Sequence, residues 1–503
     1  PFATRATEQA APLSASLIFP LVVAATSLGL AIHVHDGEYS PLAILLLTVS
    51  LLSLVAPFVL VRTGAFRELL NVAARPRFVL PTLYAALAIQ FVILFASWPG
   101  VDLPHRSHFQ LAPLHGGLAV AVLLIFLGAR TKMQTNGAIT WRVASLWFPA
   151  LLVVSLLLGI WMIRSAPAPG IDVWVFQQNG AAELLRGRNP YAMTFPDIYH
   201  SSLSNFAPAY ARSLVVGDRV QFGFIYPPLS LLLSMLGYVI AGDHRYAQVF
   251  ALVLAGAFIG YARPGRLAKL AAALLLFTPR VFFVLGRAWT EPFVLLFLAI
   301  TIFLACRRYR DPLGVSETLP ELRPEILGLS LGLLFAVKQY AILALPVSFL
   351  LLPPGRRWRD WFRLLWPAFL VAATLTLPFA LWNFPAFWKS TVTAQQLGPF
   401  RWDALSYLVW YGLHGHAVTQ PSTTVLCSAL AVLLAFGLAL WRVPRDPAGF
   451  AAAISLAALG FFAFNKQAFA NYYFFVIGGL CCAIAASSPL EESAASPHGE
   501  RAT

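Results

Sequence analysis

The sequence predicts an all-α polytopic integral membrane protein, and three observations carry that prediction. Hydrophobic residues make up 59% of the 503-residue chain and charged residues 11%, with a mean hydropathy of +0.73, far from the composition of soluble globular domains. Apolar runs of about 20 residues, the length a helix needs to cross the hydrocarbon, recur along the chain. Arg residues gather in short clusters between those runs, as topology signals do. The net charge of +14 therefore reads as membrane orientation, and nucleic acid is not expected as a partner.

Taken in order, the first spans fall near 13 to 33, 41 to 61, 79 to 98, 112 to 129 and 143 to 162. The amino terminus "PFATRATEQAAPLSAS" lacks the pattern of a cleaved signal. The basic loops "RTGAFRELLNVAARPR" (62 to 77) and "RTKMQTNGAITWR" (130 to 142) are expected in the cytoplasm. "HVHDGEYS" and "GVDLPHRSHFQ" then lie outside. By that parity the fifth span runs outward and the segment 163 to 222 emerges on the outer face. Long connections of this kind tend to be functional.

Further spans are expected near 223 to 241, 246 to 261, 268 to 284, 289 to 306, 326 to 352, 364 to 383, 424 to 441, 449 to 464 and 472 to 487. "RPGR" (263 to 266) and "RRYR" (307 to 310) cannot both be inside if all segments between 246 and 306 cross fully, so one of those is expected to be short or re-entrant. "RRWRDWFR" (356 to 363) and "RVPR" (442 to 445) mark further cytoplasmic ends. The run 326 to 352 must begin and end inside, which predicts two short helices meeting near Lys338 and Gln339. About 13 to 15 membrane segments are expected. The four cysteines show no metal or redox spacing, and "SSPLEESAASPHGERAT" has the composition of a disordered tail.

Within the long loop, "GIDVWVFQQNGAAELLRGRNPY" follows two prolines and a glycine, which turn the chain and hold Asp172 at the membrane surface. Val173, Phe176, Ala181 and Leu184 form a helical apolar stripe, with Gln178, Glu183 and Arg186 facing elsewhere. An amphipathic interfacial helix ended by Gly187 is expected. Capping of that helix is the alternative role for Asp172.

Charges inside apolar runs cost about 2.5 to 3.5 kcal/mol each on insertion scales and need a reason. Lys338 and Lys466 are two such cations. Glu291 is an embedded acid with Arg287 one turn before it, and Arg280 reads as a helix-end cation reaching the interface. Trp, Tyr, Gln and Asn accumulate in the expected outer loops, as a carbohydrate site requires. His414 and His416 lack the companions a metal site needs, and no metal or cofactor is expected. No nucleotide-binding motif occurs, so a lipid carrier is the expected route for substrate.

These segments resemble the membrane-embedded GT-C glycosyltransferases, and most closely glycosyltransferase family 87, the polyprenyl-phosphate-mannose-dependent mannosyltransferases. The likeness rests on "GIDVWVFQQNGAAELLRGRNPY", on "FIYPPLSLLL" and on "GLLFAVKQYAILALP", and covers roughly 145 to 487. It implies a GT-C-like core (143 to 487) preceded by four extra membrane helices (1 to 142) and followed by a polar tail (488 to 503). It further implies inverting transfer of mannose or another sugar from a polyprenyl-phosphate sugar to a glycolipid or glycan acceptor. The site would face outward from a multi-pass protein of the bacterial inner (plasma) membrane, in cell-envelope synthesis. Asp172 would be the catalytic base, and Lys338, Arg287 and Lys466 would bind the donor phosphate. Gln178, Glu183, Asn189, Tyr191, Tyr226, Glu291, Gln339 and Asn471 would contact sugar or acceptor. A transporter or flippase of a lipid-linked saccharide is the competing expectation, and a non-catalytic envelope partner a third.

Overall fold

A computed structural model of the chain describes residues 16–60, 64–100, 111–130, 138–200, 209–308, 323–352, 355 and 358–487. Most of "GVDLPHRSHFQ", the central part of "RTKMQTNGAITWR", the first fifteen residues and the polar tail after Ser487 lie outside the described residues. Apart from a small sheet of two-residue strands, the protein is helical, as its apolar periodicity requires.

The first part comprises α1 (Ile18–Val34), α2 (Pro41–Leu60), α3 (Gly64–Ala73), α4 (Pro76–Ala96), α5 (Ala112–Arg130) and α6 (Ala138–Ser165). The interfacial helix α7 (Asp172–Leu185) follows, then β1 (Phe195–Pro196), β2 (Val215–Val216) and β3 (Arg219–Val220), with β3 paired antiparallel to both others. Next come α8 (Pro228–Ala241), α9 (Arg245–Gly260), α10 (Arg266–Leu276), α11 (Val281–Gly286), α12 (Glu291–Arg308) and α13 (Pro324–Val337). After short turns over 339–351 the chain forms α14 (Trp358–Trp382), α15 (Phe384–Trp388), α16 (Tyr407–Leu413), α17 (Pro421–Arg442), α18 (Pro447–Ala463) and α19 (Ala470–Ala486). Among the described residues six helices are long and apolar enough to cross a bilayer, α2, α5, α14 and α17 among them. The protein is thus a multi-pass membrane protein.

Polar contacts sort the helix ends into two groups. At one end Arg266 donates to the Ala129 carbonyl at 3.0 Å, Arg263 to that of Ala486, and Arg445 covers the Phe349 ring at 4.4 Å. At the other, Arg280 pairs with Asp36 at 2.5 Å and donates to the Trp98 carbonyl at 2.7 Å, while Arg245 donates to the Ala166 carbonyl at 2.8 Å. The basic "RPGR" and "RVPR" clusters share the first end; the long loop lies at the second.

This sorting corrects the expected span at 223 to 241. Helix α8 begins beside Ile225, whose carbonyl accepts from Gln339 at 2.6 Å, and ends at Gly242, whose carbonyl accepts from Gln178 of α7 at 2.6 Å. Both of its ends are therefore tied to the loop side, so α8 does not run to the basic end. With α8 removed from the parity, α9 runs to the basic end, α10 and α11 return, and α12 descends, so "RPGR" and the start of "RRYR" share one side. The sequence expectation had sought the irregular segment between 246 and 306, one element too late.

The run 268 to 284 is nevertheless broken, between α10 and α11. Pro279 has no N–H to continue the ladder, and Arg280 adopts a left-handed φ of 69°. The run 326 to 352 breaks as expected: α13 stops at Val337, and Lys338 is extended at φ −156° and ψ 143°. No Pro or Gly stands there; Gln339 and Lys338 are held by partners from other segments.

Helices α13 and α14 meet closely at Gly328 and Gly332. A Cβ on Gly332 would stand 2.5 Å from the Ala368 carbonyl oxygen, so the four-residue glycine spacing sets the approach of the two helices. Gly332→Val is expected to force them apart and to cost about 1–3 kcal/mol, measured as a lower thermal midpoint in detergent; an unchanged midpoint would contradict this packing. Buried residues of α1 and α2 share one continuous apolar cluster with α10, α12, α18 and α19. Cys306, Cys481 and Cys482 are buried free thiols within it.

Candidate active site

Helix α7 buries Val173, Phe176, Gln177, Gly180 and Ala181. The expected amphipathic stripe is thus present, and it packs on Phe195, Phe222 and Phe224 and on Leu231 of α8. Gln177 fixes the helix to the bundle by donating to the Ala288 carbonyl at 2.7 Å and accepting from Ser234 at 2.8 Å. At the C-terminal end Gly187 takes φ 72°. Its N–H reaches the Leu184 carbonyl and that of Arg188 reaches Glu183, at 3.0 and 2.9 Å, a Schellman closure that only a left-handed residue permits.

The N-terminal end of α7 presents Asp172. Its Oδ1 accepts from Val173 N at 2.7 Å and from the Tyr199 hydroxyl at 3.2 Å; its Oδ2 accepts from the Tyr210 hydroxyl at 2.8 Å. Ile171 occupies the cap position and gives no side-chain bond. Asp172 is therefore more than a helix cap: two phenols donate to it from elsewhere in the loop. Desolvation raises its carboxyl above the ordinary range, and the Tyr210 hydroxyl, the Val173 N–H, the Tyr199 hydroxyl and the Arg401 charge act against that rise. The same burial, with Asp172 beside them, pushes the Tyr199 and Tyr210 phenols upward, so both remain hydrogen-bond donors.

Asp172 lines a cavity of about 1410 Å³ together with Tyr226, Arg287, Lys338, Gln339, Lys466 and Asn471. Sequence reasoning named all seven, from five separate stretches of chain. On the cavity floor, Lys338 Nζ donates to Glu291 at 2.6 Å and lies 4.8 Å from the Tyr226 ring centroid, with Tyr340 and Tyr472 at 5.4 and 5.7 Å. Glu291 also accepts from Tyr340 at 3.2 Å and from Asn471 at 2.9 Å. Arg287 lies over the Phe283 ring at 5.7 Å. Lys466 donates to the carbonyls of Gln396 and Gly398 at 2.8 and 2.5 Å, which anchors the 384–403 segment over the cavity and lowers the lysine pKa through desolvation.

Five residues expected to contact sugar or acceptor do not line this cavity. Glu291 is fully buried and reaches the cavity only through its partners Lys338, Tyr340 and Asn471. Gln178 is occupied by Gly242 and His244. Glu183 pairs with Arg186 and Arg188 at 2.6 and 3.1 Å, away from the site. Asn189 closes a turn onto the Tyr191 N–H at 2.9 Å. Tyr191 is buried among Phe224, Phe379 and Phe387 and donates to the Tyr226 carbonyl at 2.9 Å. Of the other residues considered, Arg280 holds Asp36, His414 bonds the Trp410 carbonyl at 2.7 Å, and His416 stacks on Tyr411 at 3.8 Å.

Three lining or flanking residues escaped the sequence reading. Tyr199 and Tyr210 lie outside the stretches that the sequence singles out. Arg401, which lines the cavity and pairs with Asp403 at 2.9 and 2.5 Å, carries no sequence signal of its own. Ile342 and Leu343 also line the cavity, as do Thr424, Val425, Ser428, Ala429 and Val432 of α17. These positions share one helical face for about 12 Å.

No family model matches the chain, and no curated protein matches it. Among solved structures it is similar to the crystal structure of ArnT from Cupriavidus metallidurans bound to undecaprenyl phosphate. The match covers 70% of this chain and 60% of that one, at 16% identity and a TM-score of 0.41.

Proposed function

We propose that the protein is an inverting membrane glycosyltransferase of the GT-C type, using a polyprenyl-phosphate sugar as donor. The observation that carries this reading is one cavity that holds a tyrosine-braced carboxylate, Asp172, and embedded cations, and that continues along an apolar helix face. An acceptor hydroxyl gives its proton to Asp172 as its oxygen bonds to the anomeric carbon. The bond from that carbon to the phosphate oxygen breaks, and polyprenyl phosphate leaves with the electron pair. Attack from the side opposite the leaving group inverts the anomeric centre.

A phosphate leaves as a stable anion, so cations rather than a strong acid are required. Lys338, set in place by Glu291 and Asn471, and Arg287 fill that role. Lys466, engaged with two carbonyls, shapes the roof. Tyr226, Gln339 and Asn471 border the sugar, and the α17 face takes the isoprenoid chain. Arg263, Arg266 and Arg445 gather at the helix ends away from the long loop, and that charge bias supports an outward-facing site. Mannose is the donor sugar favoured by the family 87 resemblance, and a cell-envelope glycan the favoured product.

Transfer is tested by reconstituting the full chain with radiolabelled polyprenyl-phosphate sugars and a glycan acceptor fraction. Label in the acceptor is expected; label that crosses the bilayer still on its lipid would instead identify a flippase.

Because Asp172 must be ionised to accept a proton and its folded pKa is raised, activity falls as pH drops through a value above the usual carboxylate range near ~3.9. Tyr210→Phe removes a donor to the ionised form, so the acidic limb of kcat/KM should move to higher pH. A limb that stays in place or moves down would contradict the arrangement.

A further inference from the structure

The turn between α1 and α2 reaches the same cavity, where His35, Asp36 and Glu38 line it beside Arg401. The turn is fixed on every side. Asp36 and Gly37 both take left-handed conformations, φ 54° and 81°, which a non-glycine residue adopts at a cost. A Cβ on Gly37 would stand 2.4 Å from Ala470 N, at the start of α19. Asp36 pairs with Arg280 at 2.5 Å, Tyr39 N donates to the Asp403 carbonyl at 2.8 Å, and Glu38 forms a β-bridge with Ala404. Deeper in α2, the Thr48 and Tyr407 hydroxyls meet at 2.8 Å. A pair of helices serving only as an anchor would not need its turn locked against the catalytic loops.

Lys338, paired with Glu291, and Arg287 are the cations assigned to the phosphate. Asp36, Glu38 and Asp403 gather near Arg401, which in turn is close enough to favour the ionised form of Asp172. An acceptor whose reacting hydroxyl sits on Asp172 would extend along this row. Arg401 spends Nε and Nη2 on Asp403 and retains further N–H donors. Asp36 and Asp403 are each paired with an arginine, Arg280 and Arg401, so Glu38 is the carboxylate left to repel an anionic group and to accept hydroxyl donors.

We propose that Glu38, held by the α1–α2 turn, and Arg401, held by Asp403, form the acceptor subsite and bind the hydroxyls of a neutral glycan. The proposal rests on the transferase reading, and gives the amino-terminal helices a direct part in substrate selection.

In the reconstituted full-length protein, Glu38→Ala should raise the acceptor KM roughly tenfold or more with the donor KM unchanged, and Glu38→Gln, which keeps one acceptor oxygen, should fall between. Thermal midpoints of both variants report folding. An unchanged acceptor KM, or a raised donor KM, would overturn the assignment. Calorimetric titration with a neutral hexose trisaccharide and a phosphorylated counterpart needs no turnover. Preferred binding of the neutral sugar, weakened by Glu38→Ala, is expected, and preference for the phosphorylated one would overturn the proposal. If the wild type transfers no label while this titration behaves as expected, the transferase reading fails and the glycan subsite stands.

Discussion

Glu291→Leu is expected to lower stability by about 3–5 kcal/mol, because it strands the Lys338 ammonium in a buried site without its partner. The pair is 2.6 Å apart, with side-chain exposures of 4% for Lys338 and 0% for Glu291, and an apolar side chain at 291 offers the ammonium no acceptor in return. Lys338→Met should cost a similar amount by leaving Glu291 unpaired. The double variant Glu291→Leu/Lys338→Met should recover much of the loss, since replacing a buried pair with apolar residues is often neutral. Sugar transfer should nevertheless stay low in all three variants, as the donor phosphate has lost its floor cation. Denaturation in detergent checks the stability arm. Single variants as stable as the wild type would show that the pair does not form.

Asp172→Asn should lower kcat by about 10² to 10⁴, the usual contribution of a positioned base, while donor KM stays within a few-fold. Asn keeps the shape of the side chain and an acceptor oxygen for Tyr210 or Val173. Since burial disfavours the ionised carboxylate, its removal should leave stability equal or higher, a trade of stability for function seen at active sites. A stopped-flow or quench assay with saturating donor separates the two constants. A kcat near that of the wild type would remove Asp172 from the chemistry.

The position of this site was legible because Asp172, Lys338 and Lys466 are polar residues that interrupt or end apolar runs, and an interruption has to be compensated. Pairings were not legible. Glu291 was expected beside Arg287, one turn away, whereas its partner Lys338 lies 47 residues on. Tyr199 and Tyr210, 27 and 38 residues from Asp172, share the composition of any membrane-interface loop. The polar face of α7 was read as facing substrate, yet Gln178 meets the backbone of the α8–α9 connection and Glu183 meets its own following arginines. The hydropathy of α8 matched a span, and only its polar ties at Ile225 and Gly242 reveal that it returns to the same side. The Gly328 and Gly332 spacing was visible in the sequence but gains meaning only when α14 is placed against it.

The central claim is a single displacement with Asp172 as base, and the anomeric configuration of the product tests it most directly. Nuclear magnetic resonance of the glycan formed from a donor of known configuration should show the opposite anomer. Retention of the donor's configuration would require two displacements through a covalent sugar intermediate, and would contradict the account.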